Sequence, residues 1–108
     1  MGKKKPSSAR TERRAGERAA EKIARERERL AVLEDGGASA RPIVVESASQ
    51  VEVHARSMPC ARCGHALRVD EHAAETVNKV PLRIARMSCS SCGSRRAIYF
   101  RIVPPLPN

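Results

Sequence analysis

Two matched cysteine pairs, short alternating apolar stretches around them and a near absence of large side chains predict a small metal-bound β domain behind a long basic helix and a disordered tail. The pairs are Cys60-Ala-Arg-Cys63-Gly64 and Cys89-Ser-Ser-Cys92-Gly93, and they hold all four cysteines of the chain. Four thiolates form the tetrahedral set that structural Zn²⁺ prefers, and a two-residue gap lets both sulfurs of a pair reach one ion. The glycine after each second cysteine is free to take φ > 0, so the chain turns back with backbone N–H groups aimed at the sulfurs. Cys60, Cys63, Cys89 and Cys92 are therefore the expected ligands of one structural zinc ion.

Composition points the same way. Tyr99 and Phe100 are the only aromatic residues among 108. A small domain this poor in large side chains buries little apolar area and commonly needs a metal. Structural zinc contributes an apparent ~10–16 kcal/mol in finger peptides, against a net stability of ~5–15 kcal/mol for ordinary domains. Residues 58–104 are thus expected to fold only around the ion.

The competing readings of the cysteines are chance clustering, a disulfide framework and a redox site. Chance fits poorly with two identical turns. Disulfides inside each pair would close very small loops and stabilise little. A redox C-x-x-C belongs at a helix N-terminus in a βαβ unit, whereas here a glycine and strand-like segments follow each pair. No apolar stretch follows Met1-Gly-Lys-Lys-Lys-Pro6, and no run approaches the length of a membrane-spanning helix. A reducing cytoplasmic setting, or a nuclear one in a eukaryote, is expected.

The elements follow in order. Residues 1–8 are polar and basic and are expected to be disordered. Residues 9–35 are rich in Ala, Arg and Glu and read as one helix, with Ser8 as N-cap and Gly36-Gly37 beyond its last turn. Residues 36–50 read as a linker, small and flexible as far as Pro42, with Ile43-Val-Val45 as a short strand within it. The β domain is placed at 51–104. Val51, Val53 and Ala55 alternate with polar residues, as in a half-buried strand leading to the first cysteine pair. Leu67 and Val69 continue the pattern, residues 72–81 read as a connecting loop, and Leu82–Met87 approach the second pair as a strand. Ile98, Phe100 and Ile102 alternate with Tyr99 and Arg101, and the proline-rich tail, residues 105–108, ends strand pairing.

The chain carries a formal charge of +9 and a pI near 10.3, which favours an anionic partner or a highly solvated surface. On the helix, Arg10, Arg14, Arg18, Lys22, Arg25 and Arg29 recur every three or four residues and form a stripe ~28 Å long at 1.5 Å per residue. This stripe reads either as a phosphate-tracking face or as a solvated face laced by Arg14–Glu17, Arg18–Glu21, Glu21–Arg25, Lys22–Glu26 and Arg25–Glu28 pairs. Residues 1–35 hold eleven basic and seven acidic groups, so the glutamates blunt attraction to an anion. A weaker apolar face holds Ala15, Ala19, Ile23, Leu30 and Leu33. Near the cysteines, Arg62, Arg95, Arg96, Tyr99 and Arg101 are candidates for nucleic-acid contact, with Arg83 and Arg86 ahead of the second pair. Arginine grips phosphate bidentately and an exposed tyrosine stacks on a base. The alternative is that these arginines keep a small sheet soluble and blunt its edges.

With the two cysteine turns and their flanking strands placed, Met58–Pro104 resembles a zinc ribbon, in which two C-x-x-C-G turns face each other at the end of a small antiparallel sheet. The Met-Gly-Lys-Lys-Lys start, with Cys60/Cys63 and Met87-Ser-Cys89-Ser-Ser-Cys92, is also similar to the small zinc-ribbon transcription elongation factors. Unlike that family, this chain inserts a long helix, and its cysteine pairs stand further apart. The resemblance implies a non-catalytic accessory protein that meets nucleic acid or a transcription or translation assembly. The other reading is a zinc-stabilised protein–protein adaptor whose helix binds a partner through Ile23, Leu30 and Leu33. Enzyme chemistry is not expected: a Cys₄ zinc site has no open position for a substrate, and no nucleophile–base pair or phosphate loop is present. Neither a membrane nor a small-molecule substrate is expected as a partner. His65, just after the first pair, is expected beside the site rather than in it.

Overall fold

The computed structural model describes residues 8–107. Of the segment expected to be disordered, residues 1–7 lie outside the described residues.

Helix α1 spans Ala9–Leu33. Ser8 caps it, its Oγ accepting from the Thr11 N–H at 3.1 Å. The helix ends where Glu34 turns extended and its N–H closes back on the Ala31 carbonyl. The Gly-Gly pair that follows is required by close approach. A Cβ on Gly37 would lie 2.1 Å from the Ala31 carbonyl oxygen, and one on Gly36, at φ 83°, would lie 2.6 Å from the Ile43 side chain. The Gly36 carbonyl in turn accepts from the Tyr99 N–H at 2.9 Å, which fastens the end of the helix to the sheet.

Four strands make that sheet: β1 (Ile43–Val45), β2 (Leu67–Val77), β3 (Val80–Cys89) and β4 (Arg95–Ile102), in the order β1-β4-β3-β2. The sheet is mixed, not purely antiparallel as expected. β2–β3 and β3–β4 are antiparallel, but β1 runs parallel to β4, with Ile43 opposite Phe100 and Val45 opposite Ile102. The connection that makes this possible is a second helix, α2 (Ser49–Arg56), which crosses one face of the sheet.

That helix replaces the strand expected over Val51–Arg56. Val51 and Ala55 are both 0% exposed while Val53 is 69% exposed. A strand would have buried all three. A helix puts residues four apart on one face and turns the residue between them outward. Alternation over so short a stretch satisfies both periods, and the packing of Val51 and Ala55 onto the sheet decides the outcome. Val45, Val51, Ala55, Leu67, Ala85, Met87, Ile98 and Phe100 form the core with Cys60 and Cys89. The His54 ring of α2 meets Phe100 edge-on, with centroids 5.7 Å apart.

The loop expected over residues 72–81 is also a correction. β2 and β3 form one long hairpin, paired from Leu67↔Cys89 to Val77↔Val80, with a bulge between Val69 and Glu71. Asn78 and Lys79, at φ 50° and 67°, make its two-residue turn, the left-handed pair a tight hairpin needs. The sequence masks this half of the hairpin because β2 is an edge strand. Beyond Leu67 it buries no side chain deeply, so backbone pairing with β3 rather than apolar alternation holds it.

Among the described residues no helix is long and apolar enough to cross a membrane.

Candidate metal centre

The two cysteine turns are built alike. In the first, the Gly64 N–H donates to the Cys60 carbonyl at 2.9 Å and the Cys60 N–H donates to the His65 carbonyl at 2.8 Å. In the second, Gly93 donates to Cys89 at 2.8 Å and Cys89 to Ser94 at 2.9 Å. Gly64 and Gly93 sit at φ 79° and 76°, where a side chain is strained. Each turn is thus a closed knuckle. The first is closed at its base by a bridge between Pro59 and Ala66 and leads into β2, and the second links β3 to β4.

Pairing of β2 with β3 aligns Leu67 with Cys89 and so brings the knuckles together. All four Sγ atoms lie within 4.8 Å of one another. The Cys60–Cys92 and Cys63–Cys89 separations are 3.6 and 3.5 Å. A tetrahedral ion with metal–sulfur bonds of about 2.3 Å has sulfur–sulfur edges of about 3.8 Å, so the cluster has the size of a closed Cys₄ site. The sulfurs are too far apart for disulfides, whose bond is about 2.05 Å, and all four cysteines are free. Cys60 and Cys89 are buried, Cys63 is half-buried and Cys92 is exposed.

Two residues outside the C-x-x-C-G pattern complete the site. Ser94 Oγ stands 3.1 Å from the sulfurs of both Cys60 and Cys92. His65 Nδ1 stands 3.3 Å from Cys63 Sγ while the ring is exposed, beside the cluster as expected. His65 and Ser94 occupy the same position, immediately after the knuckle glycine. That shared position, each time a hydrogen-bonding side chain, is the sequence signal that identifies Ser94.

The thiols are strongly differentiated. Burial opposes a charge on Cys60, but the Ser94 hydroxyl and the N–H groups of Cys63 and Arg62 outweigh it and bring the thiol down to about 6. Ser94 also lowers Cys92. The His65 N–H favours the Cys63 thiolate, yet burial and the neighbouring sulfurs of Cys89, Cys92 and Cys60 push it up to about 12. Four sulfurs this close do not all ionise in one another's field. A divalent cation at their centre supplies the missing charge and deprotonates coordinating thiols. The donor set, its size and its closure therefore fit a metal ion held for structure.

The basic candidates are distributed unevenly. Arg62, inside the first knuckle, is engaged by α1: it reaches Glu21 at 2.5 Å and Glu28 at 3.2 Å. The side of α1 turned to the β domain carries Glu21, Ala24, Glu28 and Ala31, its least exposed residues. Of the five ion pairs expected along the helix, only Glu21–Arg25 forms among the described residues, at 3.4 Å. Arg10, Arg14, Arg18, Lys22, Arg25 and Arg29 are exposed, as are the apolar Ile23, Leu30 and Leu33. Arg95 and Arg101 are exposed and Tyr99 is half-buried. Arg96 donates to the Pro59 carbonyl at 3.2 Å, and Arg86 is held by Glu71 and Glu75.

A groove of about 250 Å³ between the end of α1 and the start of β4 brings Arg62, Arg95, Arg96 and Tyr99 together with Glu28 and Val32. Val32 lies three residues beyond Arg29 and seven beyond Arg25, so the basic stripe of α1 continues along this same flank. Comparison with protein-family models, characterised proteins and solved structures finds no match to this chain.

Proposed function

We propose that the chain is a non-catalytic zinc-ribbon protein that binds nucleic acid, alone or within a transcription or translation assembly, through the basic flank of α1 and the cations beside β4. Zinc is the ion, held by Cys60, Cys63, Cys89 and Cys92, and its role is to create the fold rather than to react.

One observation carries the nucleic-acid reading: Arg62 engages two of the five acids of α1. The helix holds eight cations (Arg10, Arg13, Arg14, Arg18, Lys22, Arg25, Arg27 and Arg29) against Glu12, Glu17, Glu21, Glu26 and Glu28. With Glu21 and Glu28 turned to the β domain, three acids remain on the exposed sides. The glutamates that blunt the stripe in the sequence are in part spent on holding the helix. What faces solvent is a straight row of cations leading to Arg95 and Tyr99. Such a row suits phosphates spaced along a strand.

Fluorescence anisotropy of zinc-loaded protein with duplex DNA and duplex RNA across a salt series tests the reading. Binding is expected at about 50 mM salt, with a log K against log salt slope set by the phosphates neutralised, about 0.9 for each on B-DNA. Replacing Arg18, Lys22 and Arg29 together by alanine is expected to flatten that slope by about 2 to 3. Absence of binding to either duplex at low salt, or a slope unmoved by the triple variant, overturns the proposal.

A further inference from the structure

The flank of α1 next to the basic one is apolar and uncovered. Ile23, Leu30 and Leu33 are 52%, 60% and 59% exposed, and their spacing of seven and three residues sets them on one side of the helix. Where α1 meets the first knuckle, this flank opens into a groove of about 370 Å³. Arg27, Leu30 and Ala31 form one wall, and Met58, Pro59 and Ala61 form the other.

The charges around this surface are mainly positive. Arg27 lies at the rim, and Lys22 and Arg29 border the stripe on its other side. Arg96 lines the groove and meets only the Pro59 carbonyl. Its second terminal nitrogen has no partner among the described residues, so its charge has no counter-ion there. Against these four cations stand Glu26 and Glu34.

We propose that the apolar flank of α1 and the groove at its end take an acidic amphipathic helix of a partner protein. Ile23, Leu30 and Leu33 share one side of the helix over ten residues, about 15 Å at 1.5 Å per residue, with Glu26 between Ile23 and Leu30. An amphipathic helix laid along that side seats residues at matching i, i+3, i+4 and i+7 positions. Met58 provides an adaptable apolar wall for its end. Acidic residues flanking the partner's apolar face meet Arg27 on one side and Lys22 and Arg29 on the other. A second copy of α1 does not fit, because it would bring cations against cations with two of its glutamates already engaged by Arg62. A nucleic acid does not fit either, because the stripe presents methyl groups rather than donors. Lys22 and Arg29 border both surfaces, whereas Ile23, Leu30 and Leu33 serve the partner helix alone, so variants of these three separate this reading from the nucleic-acid one.

The test uses two synthetic 18-residue peptides that share one leucine face, one flanked by glutamates and the other by lysines. Each is titrated into ¹⁵N-labelled, zinc-loaded full chain by NMR and calorimetry. The glutamate peptide is expected to bind at least roughly tenfold tighter than the lysine peptide. The shifts are expected at residues 23–33 and 58–61. Leu30→Asp is expected to weaken binding by about tenfold or more without altering zinc content or the salt slope on duplex DNA. Ile23→Gln, away from the knuckle, is expected to weaken it in the same direction. Several results overturn the proposal: no binding of the glutamate peptide, equal binding of both peptides, or indifference to both variants. So does a dimer in sedimentation that Leu30→Asp dissolves, because the occupant is then a second copy.

Discussion

Arg62 and Glu28 stand 3.2 Å apart although they lie in different elements, one inside the first cysteine knuckle and the other on α1. With Glu21 as its second partner, Arg62 ties the long helix to the part of the molecule that carries the cysteine cluster. The guanidinium links the basic stripe of the helix to the cysteine cluster, alongside the Gly36–Tyr99 hydrogen bond that fastens the end of the helix to the sheet.

Metal removal is the broadest prediction. Native mass spectrometry is expected to find one zinc ion per chain. Chelation is expected to abolish the β signal in circular dichroism, because a core with a single phenylalanine does not offset the loss of ~10–16 kcal/mol of apparent binding energy. Cys89→Ser is expected to do the same without chelator. An unchanged spectrum after complete zinc removal refutes the metal-ordered fold.

Ser94→Ala probes the site without touching a ligand. The hydroxyl lies 3.1 Å from two sulfurs and favours their charged forms. Its loss is expected to weaken zinc affinity by about 10–100-fold, as for other groups that orient metal ligands, while the circular dichroism of saturated protein stays the same. Competition with a chromophoric chelator reads the affinity.

Arg62→Ala is expected to release α1 while zinc stays bound. Proteolysis within residues 34–42 should accelerate, and exchange of the α1 amides should rise. The tie also has a pH signature. The Arg62 hydrogen bond holds the Glu21 carboxyl below its usual range, so the charged form is the one that stabilises docking. That contribution is complete above the ordinary glutamate range and is lost as pH falls through the lower folded value. Docking should therefore be constant near neutrality and loosen only in acid. Zinc content is followed in parallel, since thiolate protonation also releases the ion. A helix equally protected in wild type and variant across this range removes the role given to Arg62.

Lys79→Gly is expected to stabilise the zinc-loaded protein. Lys79 holds φ 67° at the second position of the hairpin turn, a conformation costing a residue with Cβ about 1 kcal/mol or more. Relief of about 1 kcal/mol should raise the melting temperature by about 4–8 °C in a domain of this size. Asn78 already suits its position, so Asn78→Gly should change less. A lower melting temperature for Lys79→Gly contradicts the turn geometry.

The residue types and spacing alone determined the four-cysteine cluster, the first helix with its Ser8 cap, and the strands on either side of the second knuckle. Those features are local. Two residues between cysteines set sulfur reach, a glycine sets the knuckle, and a run of Ala, Arg and Glu sets helical propensity. Tertiary structure alone decided the rest. Val51, Val53 and Ala55 suit a strand and a helix equally over six residues, and burial of Val51 and Ala55 against the sheet selected the helix. Residues 72–77 lack an apolar face, and pairing with β3 made them a strand. β1 runs parallel to β4 because the chain crosses through α2 to the far edge of the sheet before β2 begins. The charge that α1 shows to solvent was likewise hidden in the sequence. It depends on Arg62, which reaches Glu21 and Glu28 from another element, and no local pattern records a contact made across so much of the chain.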